Sequence, residues 1–330
     1  MNRTQLEQLA DKVLLVVRSK PKSKFEIKSL AKRFKAEISD LNAALRIIHE
    51  WGYKLIQVQN RISFLSAPDV LSATEISFNL KTKLIGKVIH SFNTVKSTND
   101  IAHQLAEKGA VEGTIITAEK QTLGKGRLGR SWHSPEKMGI YVSIILRPKF
   151  SPDKAPGLSI MSALAVAETL ISNNIKNVQI KWPNDILING RKVLGVLTEL
   201  SAEKNRINYV IVGIGINVRQ SENDFPPNIR ALATSVKRET GQEILRVELF
   251  KQLLVNFEKE YALYKKSQLA KSLARIRKIS SLLKQEVALK WNGAVVTGMA
   301  LDIDPTGSLL IQSGENRLTI SSGEVTVVKK

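Results

Sequence analysis

The spacing of the apolar residues changes from helical to alternating near residue 52, and this change constrains the fold more than any other feature. The first apolar run has helical spacing and consists of Leu6, Leu9, Val13, Val16 and Val17. Shorter helices are predicted around residues 29–35 and 39–51, and alternating stretches follow at 53–58 and 61–65. Helices followed by a hairpin are typical of a winged helix-turn-helix, which we predict for residues 1–66.

The next part of the chain alternates between strands and helices. Residues 67–82 are polar and predict a linker, and helices are predicted at 97–109 and 157–173. Ser97 and Asp100 have the spacing of a capping box at the first of these helices. The predicted strands are 84–91, 113–118, 140–147, 178–182, 186–188, 192–200 and 209–213. The expected product is a mixed sheet with helices packed against it.

The last part of the chain has a helical, basic segment at 247–284 and then five short apolar stretches separated by Gly and Pro turns. These stretches are 286–291, 294–302, 308–312, 317–320 and 324–328. Their length and spacing predict a small β-barrel. The predicted fold class is therefore α+β, with a winged helix, a central mixed sheet and a terminal barrel.

Composition limits the classes of function. The chain has 50 Lys and Arg against 30 Asp and Glu, a net charge of +20 that favours polyanionic partners such as nucleic acid or nucleotides. It has no cysteine, which excludes disulfides, thiolate nucleophiles and cysteine-bound zinc. Its histidines, His49, His90, His103 and His133, lack ligand spacing, so no protein-bound zinc is expected. We find no apolar run long enough for a membrane span and expect a cytoplasmic protein.

A glycine-rich cationic segment is the most informative part of the sequence. Its glycines are Gly124, Gly126 and Gly129, and its cations are Lys125, Arg127 and Arg130. Glycine lets backbone amides approach a ligand, and cations neutralise phosphate or carboxylate charge. The G-x-G-x-x-G pattern does not indicate a Rossmann turn, because that turn opens a helix, whereas this segment leads into a strand. A mobile surface loop is the alternative.

A second motif supports a binding site. In Lys181-Trp-Pro-Asn-Asp185 a lysine at the end of a strand is followed by a turn that presents an amide and a carboxylate. Ser97-Thr98-Asn99 begins a predicted helix, and Gly213-Ile-Gly-Ile-Asn217 follows an apolar strand. Together with the cationic segment, these motifs resemble the biotin protein ligase family. The resemblance runs from the first helix to the terminal strands and includes the winged helix of the bifunctional subgroup.

The resemblance implies both a fold and an activity. Residues 83–280 would form a catalytic domain of the type shared with class II aminoacyl-tRNA synthetases, and residues 281–330 an SH3-like barrel. The enzyme would use ATP and Mg²⁺ to form biotinyl-5'-AMP and pass biotin to a lysine of the biotin carboxyl carrier protein of acetyl-CoA carboxylase. As an adenylate-bound homodimer it would bind operator DNA and repress biotin synthesis genes.

The resemblance also assigns roles to residues. Lys181 and Arg127 are the expected catalytic residues. The expected biotin-binding residues are Ser97, Thr98, Asn99, Gln121, Lys125, Gly126, Arg127 and Lys181. The expected ATP-binding residues are Arg127, Arg130, Trp132, Asn184 and Asn217, with Asp185 as the carboxylate nearest Mg²⁺. The expected DNA-binding residues are Ser39, Asn42, Ala43, Arg46, Lys54 and Arg61.

One residue departs from the family pattern, and other functions remain open at this point. Lys125 stands where the family usually has arginine, and a lysine keeps the charge but loses the planar fork. The winged helix could serve stability without binding DNA. The enzyme could be a lipoate protein ligase, although these usually lack the arginine-rich loop and the winged helix. A non-catalytic repressor that senses a small effector is a further alternative.

Overall fold

The structure is a computed structural model, and it describes residues 1–291 and 294–328. The chain divides into two compact units, Met1–Asp69 and Val70–Lys330. Each unit encloses an apolar core of its own. Each can therefore be described by itself.

The first unit contains the helices and the hairpin expected from the sequence. Its elements are α1 (Arg3–Ser19), β1 (Phe25–Glu26), α2 (Ile27–Phe34), α3 (Ile38–Glu50), β2 (Lys54–Val58) and β3 (Arg61–Ser66). The strands form an antiparallel sheet in the order β1-β3-β2. Asn2 caps α1, and α1 packs on α3, which buries Leu41, Leu45 and Ile48. Ile38, the first residue of α3, is 44% exposed.

The second unit is built on a mixed seven-stranded sheet, as the sequence predicts. Its strands are β4 (Ile89–Val95), β5 (Ile115–Gln121), β6 (Gly139–Leu146), β7 (Val178–Lys181), β8 (Asp185–Ile188), β9 (Arg191–Glu203) and β10 (Arg206–Asn217). Their order is β4-β5-β6-β10-β9-β8-β7. Only the β4–β5 pair among these is parallel.

Helices cover the two faces of this sheet. They are α4 (Ala73–Ser77), α5 (Thr98–Glu107), α6 (Gly157–Ser172), α7 (Val236–Thr240), α8 (Arg246–Ser267) and α9 (Leu273–Lys278). On one face α6 and α8 enclose the main core. On the other, α5 packs over β5, β6 and β10 in a smaller cluster. Because α5 is short, it leaves the part of this second face over β7, β8 and β9 free for a site.

The C-terminal strands form a second sheet. They are β11 (Glu286–Trp291), β12 (Ala294–Ile303), β13 (Leu309–Ser313), β14 (Asn316–Ile320) and β15 (Val325–Val327), antiparallel in the order β14-β13-β12-β11-β15. Val287, Leu309 and Ile311 belong to the same core as the central sheet. The terminal sheet therefore packs as a layer of the second unit, and the domain boundary expected at residue 281 stays a prediction.

Three local expectations differ from the structure. The segment 67–82 is not a simple linker, because it contains α4 and buries Leu71 and Ile76 in the main core. The strand expected from residue 84 begins at Ile89, because the amides of residues 83–85 donate to the Glu258 carboxylate at 2.7, 2.7 and 2.8 Å. Ser97 precedes α5 but makes no capping bond with its side chain, and Asp100 pairs with Lys125 instead.

One helical segment has the length and composition of a membrane span, contrary to our expectation. It is Pro152–Ser172, with a mean hydropathy of 1.4 in its most apolar window, of which 72% is buried within the fold. It includes α6, the central helix of the main core. Its apolar character is accounted for by packing against other helices and strands of the second unit.

A buried ion pair joins the start of α8 to the sheet. Arg246 is fully buried, and its Nη1 donates to Glu119 Oε2 at 2.6 Å and to the Gly139 carbonyl at 3.1 Å. The other carboxylate oxygen of Glu119 accepts from the Leu71 amide at 2.6 Å. The Glu119 carboxylate on β5 therefore connects that strand to the segment at Leu71 and to the start of α8. Its loss would leave the buried guanidinium of Arg246 without its counter-charge.

We predict that Glu119→Ala lowers the free energy of unfolding of the second unit by about 3–5 kcal/mol, the usual cost of breaking a buried pair. Urea unfolding measures this loss. The matched control is Glu248→Ala on α8, which removes an exposed partner of Lys251 and should cost less than about 1 kcal/mol. Equal losses for the two variants would contradict this account of the buried pair.

Candidate active site

A cavity of about 190 Å³ lies on the α5 side of the central sheet. It brings together almost all of the residues that the sequence predicted for small-molecule binding. They are Ser97, Thr98, Asn99, Gln121, Lys125, Gly126, Arg127, Arg130, Trp132, Lys181, Asn184 and Asp185. Residues separated by up to 88 positions in the sequence thus line one space, which places the cationic loop and the Lys181 motif together.

The floor of the cavity is a row of neighbouring positions across four strands. Lys181 pairs with Asp185, Asp185 with Gly195, and Gly195 with Gly215. A Cβ atom at Gly215 would lie 2.4 Å from Trp132 Nε1, and one at Gly195 would lie 3.1 Å from Trp132 Cζ3. The indole therefore lies directly on two facing glycines, since any larger side chain would displace it.

The cationic loop, which we define as residues 124–132, closes on itself above this floor. The Gly126 amide donates to the Arg130 carbonyl at 2.7 Å, and the Trp132 amide donates to the Gly124 carbonyl at 2.8 Å. A Cβ atom at Gly124 would lie 2.5 Å from the Trp132 carbonyl oxygen, so only glycine fits there. The contact of the Trp132 indole with the glycines and the two backbone hydrogen bonds hold the loop over the cavity.

The cations of the loop are held by partners at the edge of the cavity. Arg127 donates to Asn184 Oδ1 at 2.8 Å and to the Gly323 carbonyl at 3.2 Å, and Arg130 pairs with Glu324. Burial lowers the pKa of the Arg127 guanidinium, and the carboxylates of Asp185 and Glu324 oppose that shift. An arginine in such a setting keeps its charge at neutral pH.

Lys125, the departure from the family pattern, forms an ion pair with Asp100 on α5. The hydrogen bond to Asp100 raises the pKa of the Lys125 ammonium. A single ammonium is sufficient for this contact with one carboxylate oxygen. The positive charge of this loop position is thus retained without the planar fork of arginine.

Two lysines reach the cavity from the sheet. Lys181 ends β7, and within residues 1–291 and 294–328 its ammonium has no hydrogen bond or ion pair. Lys192, which the sequence analysis did not select, lies 2.8 Å from Asp185 Oδ2 and 5.5 Å from the centre of the Trp132 ring. The second oxygen of Asp185, Oδ1, is buried and has no hydrogen-bond partner in the described part of the chain. Among the described residues, the floor of the cavity therefore carries an ammonium without an ion-pair partner, that of Lys181, and a carboxylate oxygen without a hydrogen-bond partner, Asp185 Oδ1.

A network of neutral groups forms the opposite wall. The Thr98 amide and hydroxyl lie 2.8 and 3.1 Å from Gln121 Oε1, and Gln121 Nε2 donates to Ser134 Oγ at 2.9 Å. Behind these uncharged lining groups, Asn99 bonds to Ser143 and to the carboxylate of Glu199, neither of which lines the cavity. The cavity is thus cationic on one side and carries uncharged donors and acceptors on the other.

One expected site residue lies elsewhere. Asn217 is buried and absent from the cavity lining; its Nδ2 donates to the Thr234 carbonyl at 3.0 Å and its Oδ1 accepts from Gln220 Nε2 at 3.2 Å. Its amide is used within the fold, so the structure does not place Asn217 at the cavity, and its expected contact with the nucleotide stays a prediction. Its position at the end of β10 could not distinguish a ligand contact from a loop anchor.

The sequence analysis also missed residues that shape the cavity. Gly195 lies inside a strand, where a glycine signals close approach of another group, and this signal could have been used. Lys192 is three residues before it on the same strand. The segment 323–326 lines the cavity from the C-terminal sheet. The local sequence pattern of residues 323–326 does not indicate that they line the cavity, because their position depends on how the C-terminal sheet packs.

The first unit presents its predicted recognition residues outside its core. On α3, Ser39 and Arg46 are exposed, while Asn42 and Ala43 are half-buried. Asn42 and Arg46 line a shallow groove together with His49 and Gln57. Lys54 and Arg61 are exposed on the hairpin. This face therefore combines hydrogen-bonding groups on a helix with cations on the adjacent strands.

Comparison with known proteins identifies two regions of the second unit. The sequence model of the biotin/lipoate A/B protein ligase family matches residues 91–217, and that of the biotin protein ligase C terminal domain matches residues 283–328. These regions contain the central sheet and the C-terminal sheet.

Individual relatives extend the match. The bifunctional ligase/repressor BirA of Bacillus subtilis (strain 168) is 37% identical over 275 residues, covering 83% of this chain and 85% of that protein. The relative of the same name from Escherichia coli (strain K12) is 27% identical over 274 residues, 82% of this chain and 83% of that protein. The biotin protein ligase from Aquifex aeolicus, solved in complex with biotin and ATP, is 32% identical with a TM-score of 0.64, covering 74% of this chain and all of that one. On this identity, coverage and shared architecture, the chain belongs to the biotin protein ligase family and is a biotin–protein ligase.

Proposed function

We propose that this cavity joins biotin to AMP and that the enzyme then passes biotin to a lysine of the biotin carboxyl carrier protein of acetyl-CoA carboxylase. A carboxylate oxygen of biotin attacks the α-phosphorus of ATP, and pyrophosphate leaves. The amine of the acceptor lysine then attacks the carbonyl carbon of biotinyl-5'-AMP, loses a proton, and AMP leaves. The observation that carries this proposal is the convergence of the cationic loop and Lys181 on one cavity.

Positive charge is the first requirement of the reaction, because it brings a carboxylate to a polyphosphate. Lys181 has no protein partner among the residues described, so its full charge is available to the biotin carboxylate and the α-phosphate. Lys192 lies on the same floor, next to Asp185, and supplies a second cation to the phosphates. Arg127 completes the cationic side and would close the loop over the adenylate, which shields the anhydride from water.

Recognition of biotin requires uncharged hydrogen-bonding groups, because its ureido ring is polar but neutral. The wall formed by Ser97, Thr98, Asn99 and Gln121 has this character. The backbone of the loop at Lys125 and Gly126 also reaches the cavity. Biotin would therefore lie with its ring at the neutral wall and its carboxylate toward Lys181.

The nucleotide would occupy the side of the cavity near Trp132, whose ring offers an apolar surface to adenine. Arg130 and Asn184 lie on the same side and would contact the phosphates and the ribose. Asp185 is the carboxylate available to Mg²⁺, and its unsatisfied Oδ1 fits an ion that is held mainly by phosphate oxygens. Bound Mg²⁺ would neutralise charge on the pyrophosphate that leaves.

We infer a second function for the first unit. The relatives named as bifunctional ligase/repressors favour a winged helix that binds operator DNA of biotin genes. Ser39, Asn42, Ala43 and Arg46 would face the major groove, while Lys54 and Arg61 would contact phosphates. The adenylate-bound homodimer would be the repressing form. The terminal sheet would adopt an SH3-like arrangement, with its segment at residue 323 beside the nucleotide.

We predict that the protein makes the acyl-adenylate from biotin and not from lipoate. The neutral wall and cationic floor suit a ureido ring with a carboxylate, and lipoate lacks the polar ring. Incubating the protein with ATP and each acid, and measuring acid-dependent pyrophosphate release, separates the two. Faster release with lipoate would overturn the proposed substrate.

We predict that Lys181→Ala slows biotin-dependent pyrophosphate release by at least about 100-fold, the usual loss when a preorganised charge is removed from a transition state. Its melting temperature should stay close to that of the unmodified protein, because the ammonium makes no hydrogen bond or ion pair with residues 1–291 or 294–328. The matched control is Lys176→Ala, an exposed lysine just before β7, which should leave the rate unchanged. Near-normal turnover of Lys181→Ala would contradict its assigned role.

We predict that Arg46→Ala and Lys54→Ala affect DNA binding differently. A duplex selected from a random pool in the presence of biotin and ATP serves as the probe. Arg46→Ala should reduce its preference over unselected DNA, by about 1–3 kcal/mol. Lys54→Ala should weaken both duplexes equally and reduce the salt dependence by about one counterion. If the selection yields no preferred sequence, the operator-binding role is wrong.

A further inference from the structure

A chain of hydrogen-bonding groups runs from the surface to the neutral wall of the cavity. Glu199 Oε2 accepts from Asn99 Nδ2 at 2.5 Å. Ser143 Oγ lies 2.5 Å from Asn99 Oδ1 and 2.8 Å from Thr98 Oγ1. Of these four residues, Thr98 and Asn99 line the cavity, whereas Ser143 and Glu199 lie behind them. Glu199 has no place in the proposed reaction, although it is the outer end of this chain.

The chemistry of Glu199 fixes the orientation of Asn99. An ionised carboxylate can only accept hydrogen bonds, so the group that faces it must be the Asn99 NH₂. The amide oxygen must then face Ser143. The Asn99 amide also packs closely on the backbone of Gly213, since a Cβ atom there would lie 2.3 Å from Asn99 Oδ1. A half-turn about the Cβ–Cγ bond of Asn99 exchanges its oxygen and its NH₂ group, and Glu199 selects one of these two orientations.

The orientation of Asn99 fixes the proton of Ser143. A hydroxyl carries a single proton, and the Asn99 amide oxygen can only accept, so Ser143 must donate to Asn99. It cannot then donate to Thr98. The Thr98 proton is directed to Ser143 Oγ or to Gln121 Oε1, at 2.8 and 3.1 Å. In either case Thr98 Oγ1 accepts no hydrogen bond from Ser143 or Gln121, and because Thr98 lines the cavity this oxygen can accept one from a ligand.

We propose that Glu199 is a positioning residue for substrate recognition: it sets the direction of the chain Glu199–Asn99–Ser143–Thr98 so that Thr98 Oγ1 accepts an N–H of the bound ring. The inference rests on the proposed function, which places the ureido N–H groups of biotin at this wall. It assigns specificity to a residue that does not touch the ligand. It also explains a polar Ser143, which is fully buried in the otherwise apolar strand β6.

The surroundings of Glu199 hold its carboxylate in place. His103 Nε2 lies 3.4 Å from the same oxygen, Oε2, that accepts from Asn99. His103 Nδ1 lies 3.3 Å from the hydroxyl of Tyr209, and the two rings pack edge to face. Glu199 is thus braced from α5 on the side away from the cavity.

The test is Glu199→Gln in the full-length protein, with biotin affinity measured by calorimetry. A glutamine at position 199 offers both a donor and an acceptor, so the Asn99 amide can take either orientation. In the reversed orientation Ser143 no longer donates to Asn99 and can donate to Thr98. That hydrogen bond occupies a lone pair of Thr98 Oγ1 that would otherwise accept from biotin. We expect biotin to bind about three- to tenfold more weakly, the usual worth of one hydrogen bond. ATP affinity and melting temperature should not change. The matched control is Glu203→Gln, an exposed residue of the same strand, which should leave biotin affinity unchanged.

A double-mutant cycle distinguishes positioning from a general structural effect. In Thr98→Val the acceptor is already lost, so adding Glu199→Gln should weaken biotin binding no further. Ser143→Ala breaks the same chain and replaces Thr98→Val if that variant does not fold. Unchanged biotin affinity in Glu199→Gln, or a full additional loss in the double variant, would overturn this inference alone. Failure of the unmodified protein to bind biotin would overturn the proposed function as well.

Discussion

The contact between Trp132 and the facing glycines Gly195 and Gly215 is the constraint on which the site depends. Because the two glycines have no side chain, the indole of Trp132 lies directly on β9 and β10. This contact holds the cationic loop over the strands. Lys181 and Asp185 lie in the same row of the sheet, so the register of β7 to β10 sets their distance from the loop. Strand pairing thus assembles a reactive cavity from segments that are distant in sequence.

The cations of this cavity differ in whether they have a carboxylate partner, and this difference determines which of them is available to an anionic substrate. Lys125, Arg130 and Lys192 each have a carboxylate partner, which keeps the cationic surface stable before any ligand binds. Lys181 has none in the part of the chain that the structure describes. Anionic ligands can satisfy this lysine directly and need not break an existing ion pair. The neutral wall at Thr98 and Gln121 then orients the uncharged end of the substrate.

The sequence was informative where the motif itself forms the structure, and less so where distant segments meet. The cationic loop and the Lys181 motif were each recognisable because glycines, cations and a strand end are local features, whereas their place in one site was implied by the resemblance to the biotin protein ligase family. Asn217 was expected at the nucleotide but lies outside the cavity lining, and a polar residue after a strand has the same pattern whether it binds a ligand or anchors a loop. Leu71 and Ile76 were taken for linker residues, although the main core buries them. The contribution of residues 323–326 depends on how the terminal sheet packs, which no local pattern specifies.

The measurement that tests the central claim most directly is a crystal structure of the full chain with biotin and a non-hydrolysable ATP analogue. The account predicts both ligands in the single cavity beneath residues 124–132, with the Lys181 ammonium about 3 Å from oxygens of the biotin carboxylate and the α-phosphate. A structure in which the two ligands occupy separate sites, or in which Lys181 contacts neither, would contradict it.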